Sequence, residues 1–514
     1  MKLFLSLFFI LFFKIGSAVG APDDSVIYNC PKALPINKNL KLALDKLHAI
    51  KNNNSEQNKT FTVLHIGDSH VQGDFFSGEI RRQLQSYFGF AGIGAIFPYS
   101  LAKSYGPRGS VAKAEGKWES YKILSPRADL KLGILGYGLT TSKEKSAIQF
   151  SIQEKFPMTE FTEFQIWHTN DSTTFEFEMN KEFQLTNQQK FESGWTVSSF
   201  KSATPQTQFK LETKSTHQQQ KHFEFLGCEL VPANKVGINY HHLGVVGAQF
   251  THFIKSANFN LEQMAFLKPD LIIFSFGTNE AYDNSFDSLT YFNTVSEFIK
   301  VMIEKMPEVA IIFTTAPDTR SVGRTPPHQT TVNNQLKKIA AQFELSVFDL
   351  NAEMGGWGSL YKWHKNDLTL KDKLHFKQPG YALQGRLFTY SLLATYNQLF
   401  DKEQLPLISL KDTITSYMQR ILIEKVEKDT LHVAPVISDT SITTSNINVP
   451  EIKTKETVET IAESTKTHIV KKGESIYIVG KKYKINYKSI LKANSLTEKS
   501  VIRPGMKLII PKNK

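Results

Sequence analysis

At 514 residues the chain is longer than one compact core accommodates, so two or three domains are expected. Its apolar (41%) and charged (21%) fractions are those of an ordinary globular protein. The net charge of +12 is spread along the chain without a basic arm or block, which argues against a nucleic-acid binder and suits an acidic polymer such as a cell-wall glycan.

The chain opens with Lys2, an apolar run from Leu3 to Phe13, and the small residues Ser17, Ala18, Val19 and Gly20. This reads as an export signal over residues 1–20, cleaved near Gly20/Ala21 and too short to span a bilayer. Export permits a disulfide between the two cysteines, Cys30 and Cys228, and two unpaired thiols are equally compatible. A helix is expected over Asn39–Ile50, where leucines recur on one side. Phe61–Ile66 then reads as a buried strand, Gly67-Asp68-Ser69 as a turn, and Phe75–Tyr87 as a helix: the opening unit of an α/β fold. The Gly89, Gly92 and Gly94 stretch reads as a loop.

Between about 125 and 232 the pattern changes to strict alternation, as in Ala147–Ile152, Phe161–Ile166, Thr174–Glu178 and His222–Leu226. Alternation marks half-buried antiparallel strands, here a β-sandwich inserted into the α/β domain. Trp167 and Trp195 within it are candidates for sugar stacking or for core packing, the latter being the commoner fate. His241, His242 and His252 lack the companions of a metal site and read as loop and core histidines. Continuous apolar strands return at Leu271–Phe276, Ala310–Thr314 and Val347–Leu350, with helices at Ser288–Glu304, Thr330–Phe343 and Gly380–Gln398. The catalytic unit is expected over 21–424. Residues 425–466, rich in Thr, Ser, Glu and Lys without periodicity, read as a linker before a compact unit at 467–512.

Four segments carry chemistry. Ser69 sits at a strand-to-helix turn, where a hydroxyl is reachable and a helix N-terminus supplies N–H donors to a developing oxyanion. In Asp372-Lys-Leu-His375 a carboxylate three residues before the imidazole can accept from Nδ1 and leave Nε2 to act on a serine. Asn279, in Phe276-Gly-Thr-Asn-Glu280 at the carboxyl end of a strand, offers a side-chain amide where open sheets bind ligands. Gly244-Val-Val-Gly247-Ala248 offers backbone N–H groups unobstructed by side chains.

In this order the segments resemble the SGNH (GDSL-type) hydrolase family. The resemblance implies a flavodoxin-like three-layer α/β/α domain. It makes Ser69 the nucleophile, His375 the general base and Asp372 the residue fixing the imidazole. The oxyanion hole would then be formed by the Ser69 and Gly247 N–H groups and the Asn279 side chain, with Gly244 the alternative donor. His70 stands where many members have leucine, and Glu280 where aspartate is common. The β-rich insertion after the first block resembles the layout of bacterial peptidoglycan O-acetylesterases, and no metal or organic cofactor is required.

From His468 the chain resembles a LysM module, through Gly473-Glu474-Ser475, Tyr483, Asn494, Gly505 and Pro511. That implies a βααβ fold binding N-acetylglucosamine-containing polymers such as peptidoglycan. The groove would lie near Gly473, Glu474, Ser475 and Asn494. Gly480, where alanine is usual, is expected to weaken the first helix. The function implied is an exported serine esterase removing O-acetyl groups from peptidoglycan in the periplasm or cell envelope, without membrane insertion after signal cleavage. Alternatives are an esterase or acetyltransferase for another exported polysaccharide or lipid ester, and a non-catalytic peptidoglycan-binding scaffold.

Overall fold

The computed structural model describes residues 31–52, 59–400, 405–406 and 466–511, with breaks at 128, 154–155, 234, 322, 471–473, 475, 484, 495 and 497–505. The expected signal, Cys30, the linker up to 465, Gly473 and Ser475 lie outside the described residues.

Six parallel strands form the central sheet. From one edge they are Ser346–Phe348, Ala310–Thr314, Leu271–Ser275, Thr60–Gly67, Gly237–Gly244 and Phe90–Gly92. Their runs are largely apolar and buried because both faces are covered. Phe61, Val63, Ile273 and Ile312 pack toward the helices Lys38–Lys51, Phe76–Phe88 and Gln378–Leu399. The alternate residues Leu64, Ile66, Ile272, Phe274 and Phe313 pack on the opposite face, where Phe250–Ile254, Ser288–Lys305 and Gln329–Gln342 lie. This is a three-layer α/β/α domain. Polar side chains cross its sheet in sequence: Tyr240 Oη meets His65 Nδ1 at 2.8 Å, His65 Nε2 meets Ser275 Oγ at 2.7 Å, and Thr314 Oγ1 donates to Ser275 Oγ at 2.8 Å. Burial lowers the His65 pKa to about 3, so the ring bridges these hydroxyls as neutral imidazole.

Two elements differ from expectation. Phe90–Gly92 is an edge strand where a loop was read, and Ala95–Ile96 pairs with Glu229 and Cys228. Segments this short, punctuated by glycines, carry no periodicity and take their conformation from the neighbouring strand. His241 and His242 are not loop residues but lie on the Gly237–Gly244 strand, both fully buried. His241 Nδ1 accepts from the Ala95 N–H at 2.9 Å.

The antiparallel strands begin at Ala95 and run to Val231, in one sheet of seven strands and one of four. The sheets face each other through phenylalanines: Phe164 of one stacks on Phe209 of the other with ring centroids 4.6 Å apart. Trp167 and Trp195 are both completely buried, and the Trp195 indole N–H donates to Glu262 at 2.8 Å. They serve the core and have no open face for a sugar. Cys228 is buried in the Phe223–Val231 strand, and burial pushes its thiol pKa well up.

The second unit has the order strand Lys466–Ile469, helix Ile476–Tyr483, helix Tyr487–Ala493 and strand Lys507–Ile510, the two strands pairing antiparallel. Val470, Val479, Ile490, Leu508 and Ile510 form its core. Gly480 is a requirement here rather than a weakness: a Cβ would lie 2.9 Å from the Ile485 carbonyl, where the chain folds back on the helix.

Candidate active site

The parallel register ends three strands at one level, with Gly67 opposite both Gly244 and Ser275. The residues that follow, Asp68-Ser69, Val245–Ala248 and Phe276–Asn279, therefore gather at the carboxyl edge of the sheet, on either side of the central strand. Gly67 permits the crowding, since a Cβ there would meet the Ser275 carbonyl at 2.5 Å and Val71 at 2.6 Å. Ser69 opens the short helix Ser69–Gln72, N-capped by Asp68, whose carboxylate accepts the His70 N–H at 2.9 Å.

From the other end of the chain, the turn before the Gln378–Leu399 helix brings in His375. Its Nε2 lies 3.1 Å from Ser69 Oγ, and its Nδ1 lies 2.8 Å from Asp372 Oδ2. The other oxygen, Asp372 Oδ1, accepts the Leu374 and His375 N–H groups at 3.0 Å each. Partial burial raises the Asp372 pKa, but the hydrogen bonds from His375 and these N–H groups outweigh it and leave the carboxyl below its ordinary value. Serine, imidazole and carboxylate thus stand in hydrogen-bond sequence.

Asn279 Nδ2 donates to the Ala248 carbonyl at 2.9 Å, and its second N–H reaches Asp68 Oδ2 at a long 3.4 Å. Gly247 has φ +81°, a conformation suited to glycine. Neither its N–H nor that of Ser69 has an acceptor among the described residues. Gly244 is different: it pairs with Gly67 in the sheet, and a Cβ would collide with the Gln72 backbone at 2.2 Å. Its role is close packing.

Three residues for which no catalytic role was expected hold this edge together. Gln72 is completely buried. Its Oε1 accepts the Val246 N–H at 2.6 Å and the Tyr137 hydroxyl at 3.1 Å, while its Nε2 donates to Ser104 Oγ and to the Tyr105 carbonyl. Tyr137 belongs to the β-rich insertion, so the insertion hydrogen-bonds into the network that holds the Val245–Ala248 turn. Glu280 accepts the Phe250 N–H at 2.7 Å and the Gly277 N–H at 3.0 Å, linking the two loops that carry Gly247 and Asn279. Burial pushes its pKa up to about 7, and burial pushes the neighbouring Asp68 carboxyl up to about 8. His70 packs 5.6 Å from the His375 ring and meets the Tyr381 hydroxyl at 2.9 Å. Burial, with His375 beside it, lowers the His70 pKa to about 3 and keeps it neutral.

Comparison with known proteins agrees with this architecture. Residues 224–383 match the GDSL-like Lipase/Acylhydrolase family. Over these residues the chain carries a GDSL-type acylhydrolase domain, which supports an esterase activity. The family match spans Asn279, Asp372 and His375; Ser69 precedes the β-rich stretch and lies before it. A solved peptidoglycan O-acetylesterase structure superposes on the acylhydrolase with a TM-score of 0.58, at 21% identity over 69% of this chain and 96% of that one. A lipase/acylhydrolase from Enterococcus faecalis (23% identity, 30% and 74% coverage, TM-score 0.25) and a family two carbohydrate esterase from Cellvibrio japonicus (12%, 56% and 99%, 0.23) align too loosely to add to the comparison. No curated protein matches the sequence.

Residues 468–511 match the LysM domain. Of the groove residues expected there, Glu474 meets His468 Nε2 at 2.7 Å. Asn494 clamps the module: its amide donates to the Ile490 and Ile509 carbonyls at 2.8 Å, and its Oδ1 accepts the Ile509 N–H at 2.7 Å. No helix among the described residues is long and apolar enough to cross a membrane.

Proposed function

We propose that this chain is an exported esterase that removes O-acetyl groups from peptidoglycan, with its LysM domain holding it on the wall of the cell envelope. The observation that carries this reading is the run of hydrogen bonds from Ser69 through His375 to Asp372, at 3.1 and 2.8 Å. His375 Nε2 takes the Ser69 proton as Oγ attacks the acetyl carbonyl, and the imidazolium then protonates the departing sugar oxygen. Asp372 accepts from Nδ1, fixing the tautomer and stabilising the imidazolium. A water deprotonated by His375 cleaves the acetyl-enzyme and releases acetate.

The charge on the carbonyl oxygen falls to the Ser69 and Gly247 N–H groups and to the Asn279 amide, whose loose bond to Asp68 leaves one N–H to redirect. A neutral Asp68 suits this arrangement, since a carboxylate beside the oxyanion would oppose it. The likeness to the peptidoglycan O-acetylesterase fold and the LysM match support the choice of substrate. A module that binds the polymer raises the local concentration of its acetyl groups.

Ser69→Ala is expected to lower acetate release from O-acetylated sacculi by about 10⁴-fold or more while sacculus binding persists. Retained activity would refute the mechanism. Equal rates of small-ester hydrolysis, with no preference for acetylated over de-acetylated sacculi as a competitor, would refute the substrate.

A further inference from the structure

One surface beside the catalytic turn has features that the acetyl-transfer chemistry does not use. Tryptophans 167, 195 and 363 are buried, whereas Trp357 is 54% exposed, and Tyr361, one helical turn on, is 50% exposed. Trp357 sits in the sequence Gly355-Gly-Trp-Gly358, whose three glycines have φ values of +107°, +74° and +90°. The loop is nonetheless fixed, because the Asp318 carboxylate accepts the Gly358 and Leu360 N–H groups at 2.9 and 3.0 Å. Two residues after Asp318, the Arg320 N–H donates to the Lys373 carbonyl at 2.8 Å, joining this loop to the turn that carries Asp372 and His375.

The Tyr361 ring holds two cations. The Arg320 guanidinium lies 4.9 Å from its centroid and the Lys373 ammonium 5.8 Å. Neither forms a salt bridge with a carboxylate among the described residues: Asp318, close enough for its carboxyl to feel the Arg320 charge, is bonded by backbone N–H groups, Asp367 pairs with Lys377 and Asp372 with His375. An exposed indole and two pre-positioned cations that no salt bridge ties up, beside the general base, are the parts of a site for an acidic sugar polymer.

We propose that Trp357, Tyr361, Arg320 and Lys373 form a subsite for a carboxylate-bearing glycan strand. A sugar ring lies on the Trp357 indole, and the carboxylate of an adjoining residue is taken by Arg320 and Lys373. The subsite rests on the proposed function, of which it names the feature of the substrate that is read: a fixed negative charge near the acetylated sugar. A neutral acetylated polymer fills only the aromatic half.

The test uses the full-length protein, a small aryl acetate, soluble O-acetylated peptidoglycan strands and neutral acetylated xylan. In Arg320→Gln/Lys373→Gln, the ratio of kcat/KM on peptidoglycan to that on aryl acetate is expected to fall about tenfold, through KM. The same ratio for xylan should move less than threefold. The wild-type KM on peptidoglycan should rise with salt, and this slope should be lost in the double variant. Trp357→Ala should lower the ratio for both polymers. A peptidoglycan-to-aryl-acetate ratio and salt slope that match wild type in all variants would overturn the subsite while leaving the proposed function standing. A wild-type enzyme that prefers xylan to peptidoglycan would overturn the substrate assignment and the anion site together.

Discussion

Ser69 sits in a buried shell in which Asp68 caps its own helix while Gln72 and Glu280 satisfy backbone N–H groups of a neighbouring loop, whereas His375 and Asp372 ride on a half-exposed turn beside Tyr361. The first region is wired from many sequence distances. Gln72 alone joins the nucleophile helix to a loop 174 residues away and to the insertion. The second is wired locally, with Asp372 bonded to groups two and three residues on. The difference separates two tasks. Oxyanion donors act only if they are held before charge develops, which requires a dry and rigid surround. A general base beside a polymer substrate must stay open to that polymer. The contrast predicts that the buried half tolerates no loss of a hydrogen-bond partner, while the exposed half is sensitive only at its direct contacts.

The largest effect that sharpens this contrast is expected from Asp372→Asn. Asn presents an N–H where Nδ1 needs an acceptor, so kcat on an aryl acetate should drop about 10³-fold with little change in melting temperature. A loss of only a few-fold would mean that the exposed carboxylate hardly orients the ring. Gln72→Leu comes next. It leaves the Val246 N–H without its acceptor, and kcat should fall about 10²-fold at nearly constant KM, accompanied by reduced thermal stability. Tyr137→Phe, which removes one of the two donors to Gln72 Oε1, should show the same pattern weakened to several-fold. Parallel loss of kcat and folded protein, with normal kcat per folded molecule, would reduce both residues to scaffolding.

The Ser69, Asn279, Asp372 and His375 positions were legible because each stands in a short segment at a strand end or turn, and order along the chain carried the rest. The wiring was not. Gln72 reads as one more polar residue in a helix, and Glu280 as a variation on aspartate, until the register places Gly67 between Gly244 and Ser275. The alternating strands were visible from their period, yet Phe90–Gly92 was hidden by its glycines. Tryptophans 167 and 195 drew notice inside a recognisable β pattern and are buried. Trp357 lies in a glycine-rich stretch with no pattern at all, and its exposure is visible only in three dimensions.

The smallest expected effect concerns pH. Burial pushes the Asp68 carboxyl up to about 8, so the folded state holds this proton more tightly than the unfolded chain. The stabilisation is complete below the ordinary carboxylate pKa of about 4 and is lost as pH rises toward 8. Asn retains the N-cap and cannot ionise. The melting temperature of Asp68→Asn relative to wild type should therefore climb between pH 5 and pH 8. Curves that stay parallel would place the titration elsewhere.

The central claim is that Ser69 is activated by His375 within one site, and covalent labelling tests it most directly. An aryl phosphonate that reacts with activated serines should modify the wild-type protein once, at Ser69 by peptide mass spectrometry, and at least 10²-fold more slowly in His375→Ala. Labelling at another residue, or at Ser69 with the same rate in both proteins, would contradict the account.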